Sequence, residues 1–98
     1  MIRHIVMWNY ANGFSEDENI ENARKVKNGL EALADLDGVL EMKVRINELP
    51  YSNTDVLLDS LFESEDAFKS YKVHQRHLQM AELIGKVLQN RVCFDYVC

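Results

Sequence analysis

Three predicted β-strands of this 98-residue chain carry apolar side chains on both faces. Successive side chains of a strand point to opposite faces, so helices that cover one face leave the other bare. A bare apolar sheet face is unfavourable in water, and we therefore expect two copies of the chain to pack these faces together as a twofold homodimer. The opposed sets are Ile5 and Met7 against Ile2, Val6 and Trp8 in residues 2–9, Leu57 and Leu61 against Val56, Leu58 and Phe62 in residues 55–62, and Cys93 and Val97 against Val92, Phe94 and Tyr96 in residues 92–97.

A fourth strand, residues 39–47, alternates strictly between apolar and polar residues, which predicts one buried and one wet face. Its predicted buried side chains are Leu40, Met42, Val44 and Ile46, and its predicted wet ones are Glu41, Lys43, Arg45 and Asn47. The segment before it reads as a helix that a capping box, Ser15 with Glu18, begins and Asp37-Gly38 closes. The apolar stripe expected on this helix, interrupted only by Lys27, is Ile20, Ala23, Leu30, Leu33 and Ala34.

A second helical segment begins after Ser64, whose side chain caps helices well, and presents Ala67, Phe68 and Tyr71. We expect a break near residues 73–75, after which helical spacing resumes with Leu78, Ala81, Ile84 and Val87. The order is β-α-β-β-α-β. It predicts a single α+β domain over residues 1–98, ferredoxin-like, with a four-stranded antiparallel sheet that is expected to pair into a dimeric α+β barrel.

Charge and composition exclude several function classes. The net charge is −5 and the Lys and Arg residues are scattered, which argues against nucleic-acid or anionic-membrane partners. No apolar run approaches the roughly 20 residues of a membrane span, and the N-terminal residues lack the pattern of a signal peptide. Cys93 and Cys98 show neither metal-type spacing nor a disulfide framework, so we expect a cytoplasmic protein without a metal or other cofactor.

Several short motifs in one order resemble the stress-responsive A/B barrel (Dabb) domain family. Their order and spacing, which span nearly the whole chain, are more specific than any one of them. The resemblance implies a dimeric α+β barrel, formed when two ferredoxin-like sheets meet face to face. The motifs are MIRHIVMW at residues 1–8, TDVLLD at 54–59, FES at 62–64, YKVHQRH at 71–77 and FDY at 94–96.

The same resemblance singles out four candidate catalytic residues. By analogy with plant polyketide cyclases, His77 would be a general base, Tyr71 its hydrogen-bonding partner, and His4 and Asp95 supports. Such enzymes perform intramolecular aldol condensation without a metal or organic cofactor. Gln75 stands where the family usually has proline. Its backbone N–H would let the helix continue without a break, which would change the direction of the His77 side chain.

Elementary chemistry agrees with these roles. His4 lies on the apolar face of the first strand, where burial favours the neutral imidazole that a base requires. Asp95 would orient His77 through a ring N–H, and Tyr71 would donate to an enolate or carbonyl oxygen. We expect the ligand pocket between helices and sheet, with the ligand-binding residues Trp8, Phe68 and His74.

The sequence is compatible with two classes of function. One is a cofactor-independent cyclase, isomerase or lyase acting on a carbonyl compound. The other is a non-catalytic dimer that binds a small hydrophobic or carbonyl-containing molecule. Trp8 could fill the space that a polyketide needs, and each histidine could serve structure alone. His74 and His77, three residues apart, supply only two metal ligands where zinc requires three or four.

Overall fold

The computed structural model describes all residues, Met1–Cys98, and shows one four-stranded antiparallel sheet. The strand order is β2 (Val39–Ile46), β3 (Val56–Phe62), β1 (Ile2–Tyr10) and β4 (Leu88–Val97). The predicted ferredoxin-like α+β fold is confirmed, with the second helical segment divided in two. None of the helices is long and apolar enough to cross a membrane. The elements are β1 (Ile2–Tyr10), α1 (Glu16–Glu31), a 3-10 helix (Ala32–Asp35), β2 (Val39–Ile46), β3 (Val56–Phe62), α2 (Glu65–Val73), α3 (Gln75–Val87) and β4 (Leu88–Val97).

The hydrophobic core lies between the helices and one face of the sheet. Phe62 is fully buried on β3 and packs against the rings of Phe68 and Tyr71 on α2, at centroid distances of 5.0 and 4.9 Å. The stripe of α1 that contributes to this core is Ala23, Val26 and Leu30, and the sheet contributes Val6, Trp8, Met42, Val44, Val56 and Leu58. Burial of these side chains is the main stabilising contribution to such a fold.

The other face of the sheet has no helix over it and is apolar across β1 and β4. Ile5 pairs with Phe94, and Met7 pairs with Val92. Phe94 is 66% exposed, and Val92 and Tyr96 are also exposed. We refer to Ile5, Met7, Val92, Phe94 and Tyr96 as the open face. The predicted bare apolar face therefore exists in the single chain.

Five apolar residues that the sequence patterns assign to buried stripes are exposed, so these assignments are wrong: Ile20, Ala34, Leu40, Leu78 and Ala81. A bulge between Val39 and Glu41 takes Leu40 out of the alternation, because Val39 pairs with Phe62 and Glu41 with Leu61. Ile20 lies one turn before the buried stripe of α1. That stripe includes Val26, which the sequence pattern does not predict. Leu78 lies in α3 on the side away from Leu83 and Val87. The first helix also ends earlier than predicted, at Glu31.

Lys27 interrupts the apolar stripe of α1 because it binds the neighbouring edge strand. Its Nζ donates to the carbonyl oxygen of Val44 at 2.9 Å and to the carboxylate of Glu31 at 2.8 Å. The same carboxylate accepts the backbone N–H of Val44 at 3.0 Å. These contacts occupy backbone groups that an edge strand otherwise leaves open.

The break between α2 and α3 falls at His74, as predicted, although Gln75 is not a proline. His74 has an extended backbone, with φ −65° and ψ 139°, and ends one helix while beginning the next. Its Nδ1 accepts the backbone N–H of Arg76 at 3.1 Å, which caps α3. The expectation that Gln75 lets the helix run on is therefore wrong, because the side chain of His74 supplies an N-cap that stabilises a new helix start.

Candidate functional site

A cavity of about 280 Å³ lies between α3 and the covered face of the sheet. His4, Tyr71 and His77 contribute to its wall, together with Trp8 and Arg91. The remaining wall is mostly apolar and comes from α1, α3, β1, β3 and β4. A mostly apolar cleft with a few convergent polar groups is the usual form of a small-molecule site, although this volume is at the small end of the range.

His4 is buried on β1 and holds a fixed hydrogen bond to Asp95 on β4. The two residues are directly opposite each other in the strand pairing, and Nδ1 of His4 meets Oδ1 of Asp95. Burial lowers the pKa of His4, and the carboxylate opposes this effect only in part. Because a carboxylate only accepts hydrogen bonds, the proton of the neutral ring belongs on Nδ1. Nε2 is then the atom of His4 that can accept a proton or hydrogen bond.

His77 lies in the first turn of α3 and has the same arrangement with a different partner. Its Nδ1 lies 3.0 Å from the carbonyl oxygen of Lys72, the end of α2. A carbonyl oxygen is an acceptor, so Nδ1 carries the proton and Nε2 is the basic atom. Burial lowers the pKa of His77 below its ordinary value of 6.5. The ring is therefore neutral near pH 7, the state that a general base requires.

Tyr71 orients His77 through its ring. The two ring centroids are 4.5 Å apart, and the other side of Tyr71 packs on Phe62. The hydroxyl is buried and has one partner, the sulfur of Met42 at 4.0 Å, and burial raises its pKa. The packing role of Tyr71 is thus established by the geometry, whereas donation from its hydroxyl to a ligand stays a prediction.

Asp95 does not orient His77, contrary to the prediction. The ring N–H of His77 is bound by the Lys72 carbonyl, and Asp95 contacts His4 and the thiol of Cys93 instead. The physical reason is the strand register, which places Asp95 directly opposite His4. Asp95 is therefore a partner of His4, and the position of His77 depends on the break at His74 between α2 and α3.

The three predicted ligand-binding residues separate in the structure. Trp8 is buried and lines the cavity. Phe68 lies behind His4, at a centroid distance of 4.8 Å, and contributes to a different, shallow groove beside Asp95 and Lys72. His74 is exposed at the helix break, beside an acidic groove of about 590 Å³, and shares no wall with His77. The structure thus contradicts a cavity role for His74 and Phe68.

Sequence patterns missed Arg91, whose side chain also lines the cavity. It lies in a bulge of β4, because Met7 pairs with Val92 and Asn9 with Gln89, which leaves two residues opposite Trp8. Asn90 has φ +57°, a conformation that asparagine tolerates better than most residues. No carboxylate lies within ion-pair distance of Arg91. The predicted start of this strand, residue 92, is too late, because β4 begins at Leu88 and the bulge interrupts its alternation.

Comparison with known proteins identifies the fold and the family. A crystal structure of a dimeric protein of unknown function from Bacteroides fragilis is 24% identical, with a TM-score of 0.89 over 97% of this chain and 93% of that chain. A Dabb family protein from Mesorhizobium loti is 17% identical, with a TM-score of 0.77 over 99% and 95% of the two chains. The hydroxynitrile lyase of Passiflora edulis is 19% identical, with a TM-score of 0.76 over 99% and 92%.

At these identities the similar structures share the fold, which by itself does not carry function. No curated protein is significantly similar in sequence to this chain. The family model of the stress-responsive A/B barrel domain, in contrast, matches residues 2–98. Since that match extends over nearly every residue, including both strands that hold the candidate site, the chain belongs to the stress-responsive A/B barrel (Dabb) domain family.

Proposed function

We propose that this protein is a homodimer that binds a small carbonyl-containing molecule in the cavity of each chain. The observation that carries the proposal is the convergence of His4 and His77 on one cavity, each with Nδ1 occupied and Nε2 available. Nε2 of each neutral imidazole accepts a hydrogen bond, so the pair suits a ligand with an apolar body and a hydroxyl or enol group, whereas a carbonyl or carboxylate oxygen needs a donor such as Arg91. Arg91, which has no carboxylate partner, favours a ligand whose oxygens carry negative charge.

The size of the cavity restricts the ligand further. About 280 Å³ suits a compound with a single ring or a short chain. Trp8 lies on β1 and lines the cavity together with His4 and Val6. Its large side chain reduces the space available to an extended polyketide. Small aromatic acids and short β-keto acids are therefore the compounds we propose to test first.

Gly85→Leu is expected to abolish ligand binding without unfolding the protein. Gly85 lines the cavity, and a Cβ built there meets no atom within 4 Å, so the fold can accept a larger side chain at this edge of the cavity. Trp8 is the only tryptophan and lies in the cavity wall, so its fluorescence reports occupancy directly. Titration of the wild type with the test acids should change this fluorescence in a saturable way.

Gly85→Ala is the matched control. Like the leucine variant, it replaces glycine in α3, but it adds only a methyl group, so the ligand should bind with nearly wild-type affinity. The helix should become more stable by about 1 kcal/mol. A Gly85→Leu variant that binds as tightly as Gly85→Ala would show that the ligand lies elsewhere. No saturable change with any of the acids would count against the proposed ligand class.

The second candidate function is a cofactor-independent lyase or cyclase, with His77 as general base. In this reaction Nε2 of His77 removes a proton from the carbon next to a carbonyl group, and the carbonyl oxygen gains the negative charge of an enolate. Arg91 or the hydroxyl of Tyr71 would then stabilise that oxygen. The held tautomer of His77 favours this role, and a hydroxynitrile lyase shares the fold.

His77→Gln separates the two candidate functions. The side-chain oxygen of glutamine can accept the same hydrogen bond as Nε2 of His77, so binding measured by Trp8 fluorescence should change little. Loss of a general base typically costs about 100-fold to 10,000-fold in rate. We expect exchange of the acidic α-protons of a bound ketone into deuterated water, followed by NMR, to fall by that factor. His74→Gln, at the exposed helix break, is the control and should leave exchange unchanged. Equal exchange in all three proteins would exclude His77 as the base.

The homodimer is supported by the open face and by its similar structures. Phe94, Val92 and Tyr96 are exposed in the single chain and form one apolar surface with Ile5 and Met7. Monomeric proteins rarely leave such a surface in water. Structures with this fold from Bacteroides fragilis and Thermobifida fusca are described as dimeric. We propose that the open faces of two copies pack together, with the two cavities on the outer sides of the pair.

The proposed setting is the cytoplasm, without a nucleic-acid or membrane partner. Cys93 and Cys98 are both free thiols, which agrees with a reducing compartment. The net charge of −5 disfavours polyanionic partners. The location of a fluorescent fusion protein in cells tests the proposed cytoplasmic setting.

A further inference from the structure

Three potential metal ligands from the two ends of the chain meet beside the cavity. His4 lies on β1, Asp95 is directly opposite it on β4, and Cys93 is two residues earlier on the same face of β4. The Cys93 sulfur lies 3.7 Å from Nδ1 of His4 and 3.4 Å from Oδ1 of Asp95. One potential ligand atom from each residue thus lies within 4.8 Å of the others.

We infer that His4, Cys93 and Asp95 form a binding site for a divalent transition metal of the zinc and cobalt class. Zinc takes ligands at about 2.0–2.3 Å in a tetrahedron, which places neighbouring ligand atoms about 3.3–3.6 Å apart. The two distances from the Cys93 sulfur, 3.7 and 3.4 Å, are close to these values. A metal ion bound by the three residues would replace the hydrogen bond between His4 and Asp95.

The ligand types select the class of metal. Imidazole and thiolate suit zinc, cobalt and similar metals, whereas magnesium and calcium prefer oxygen ligands throughout. Cys93 and Asp95 are exposed, so a metal can enter from solvent, and His4 is buried and fixed. Three protein ligands leave a fourth position for water or a small molecule, which is the arrangement of a site that keeps an open position.

The charges around the site both favour and oppose the binding of a metal ion. Thiolate and carboxylate together supply two negative charges, and binding releases the thiol proton of Cys93. The positive charges of Arg91 and Lys72 act on His4, and that of Lys72 also acts on Asp95, so both reduce the affinity relative to a site without them. We therefore expect moderate affinity and one ion per chain.

A bound metal would also change what His4 presents to the cavity. The metal takes Nδ1, so the ring proton must move to Nε2. His4 then donates a hydrogen bond where the metal-free ring accepts one. This site goes beyond the proposed ligand binding, since the metal contacts His4 from the β4 side and needs neither His77 nor the open cavity.

The experiment is a titration of the reduced, metal-free protein with Co²⁺ alone. A cobalt–thiolate bond gives an intense charge-transfer absorption, and we expect this band to saturate at one Co²⁺ per chain, with Zn²⁺ displacing it. Cys93→Ser should lose the band, and Asp95→Asn should weaken binding by about tenfold or more. Cys98→Ser, which removes the other thiol, should behave as the wild type, and so should Gly85→Leu, which changes the cavity wall and none of the three proposed ligands.

Two results would overturn the inference. One is the absence of a saturable thiolate band in the wild type. The other is a band that Cys98→Ser removes and Cys93→Ser retains, which would place the cobalt at the other cysteine. Circular dichroism of Cys93→Ser and Asp95→Asn shows that each variant is folded. A band that persists in Gly85→Leu, when that variant no longer binds the acids, separates this site from the proposed ligand site.

Discussion

Phe94→Lys is expected to convert the protein from a dimer to a monomer. Phe94 is 66% exposed in the single chain and lies at the middle of the open face, paired with Ile5 and close to Tyr96. A central aromatic residue of an interface often contributes about 2 kcal/mol or more, and a buried unpaired lysine adds a desolvation cost. We expect dimer affinity to fall by at least about 30-fold. Light scattering at micromolar concentration should then give 11.4 kDa instead of twice this mass.

Ile20→Lys is the control for this change. Ile20 is another exposed apolar residue, but it lies on α1, on the other side of the sheet. Its substitution should leave the dimer intact and the fold unchanged. If the wild type itself has a mass of 11.4 kDa, the homodimer proposal is wrong. If both lysine variants remain dimeric, the copies meet on a different surface.

Phe62→Ala is expected to cost about 3–5 kcal/mol in the free energy of unfolding, a large part of the stability of a small domain. Phe62 is fully buried, and its ring holds the rings of Phe68 and Tyr71 at centroid distances of 5.0 and 4.9 Å. Removal leaves a cavity under both aromatic residues. Urea unfolding, followed by circular dichroism at one fixed protein concentration, measures this loss, because the stability of a dimer depends on concentration.

Phe14→Ala is the matched substitution at a surface position. Phe14 is exposed in the turn before α1, so its loss should cost less than about 1 kcal/mol. Equal losses for the two variants would contradict the described core. Because Tyr71 packs between Phe62 and His77, we also expect Phe62→Ala to impair any activity of His77 more than Phe14→Ala does.

The fold could be predicted because local patterns determine most of it. Alternation along β1, β2 and β3 reports which face is buried, and Ser15 and Ser64 cap the first two helices as expected. The errors have local causes that alternation cannot reveal. A bulge takes Leu40 out of phase in β2, and the bulge at Asn90 hides the first residues of β4.

The candidate site was predictable only in part, because it depends on contacts between distant residues. The resemblance to the family named His4, Tyr71, His77 and Asp95, but not which of them touch. Strand register decides that Asp95 binds His4, and the cap at His74 decides that His77 binds the carbonyl of Lys72. Cys93 and His4 are 89 residues apart, so no spacing rule for metal ligands could connect them.

The bulge at Asn90 makes the length of β4 as important as its composition. Leu88 is in the core, and Asp95 faces His4 on the same side of the sheet, although their positions in the chain differ by an odd number. In a regular strand, residues an odd number apart point to opposite sides. Deletion of Asn90 alone would therefore leave a regular strand in which Leu88 and Asp95 are six positions apart and keep their side of the sheet. Insertion of one residue beside Asn90 would instead leave three residues opposite Trp8, so that either Leu88 loses its place opposite Tyr10 or Asp95 loses its place opposite His4. We expect insertions at this position to be far less tolerated than the deletion of Asn90.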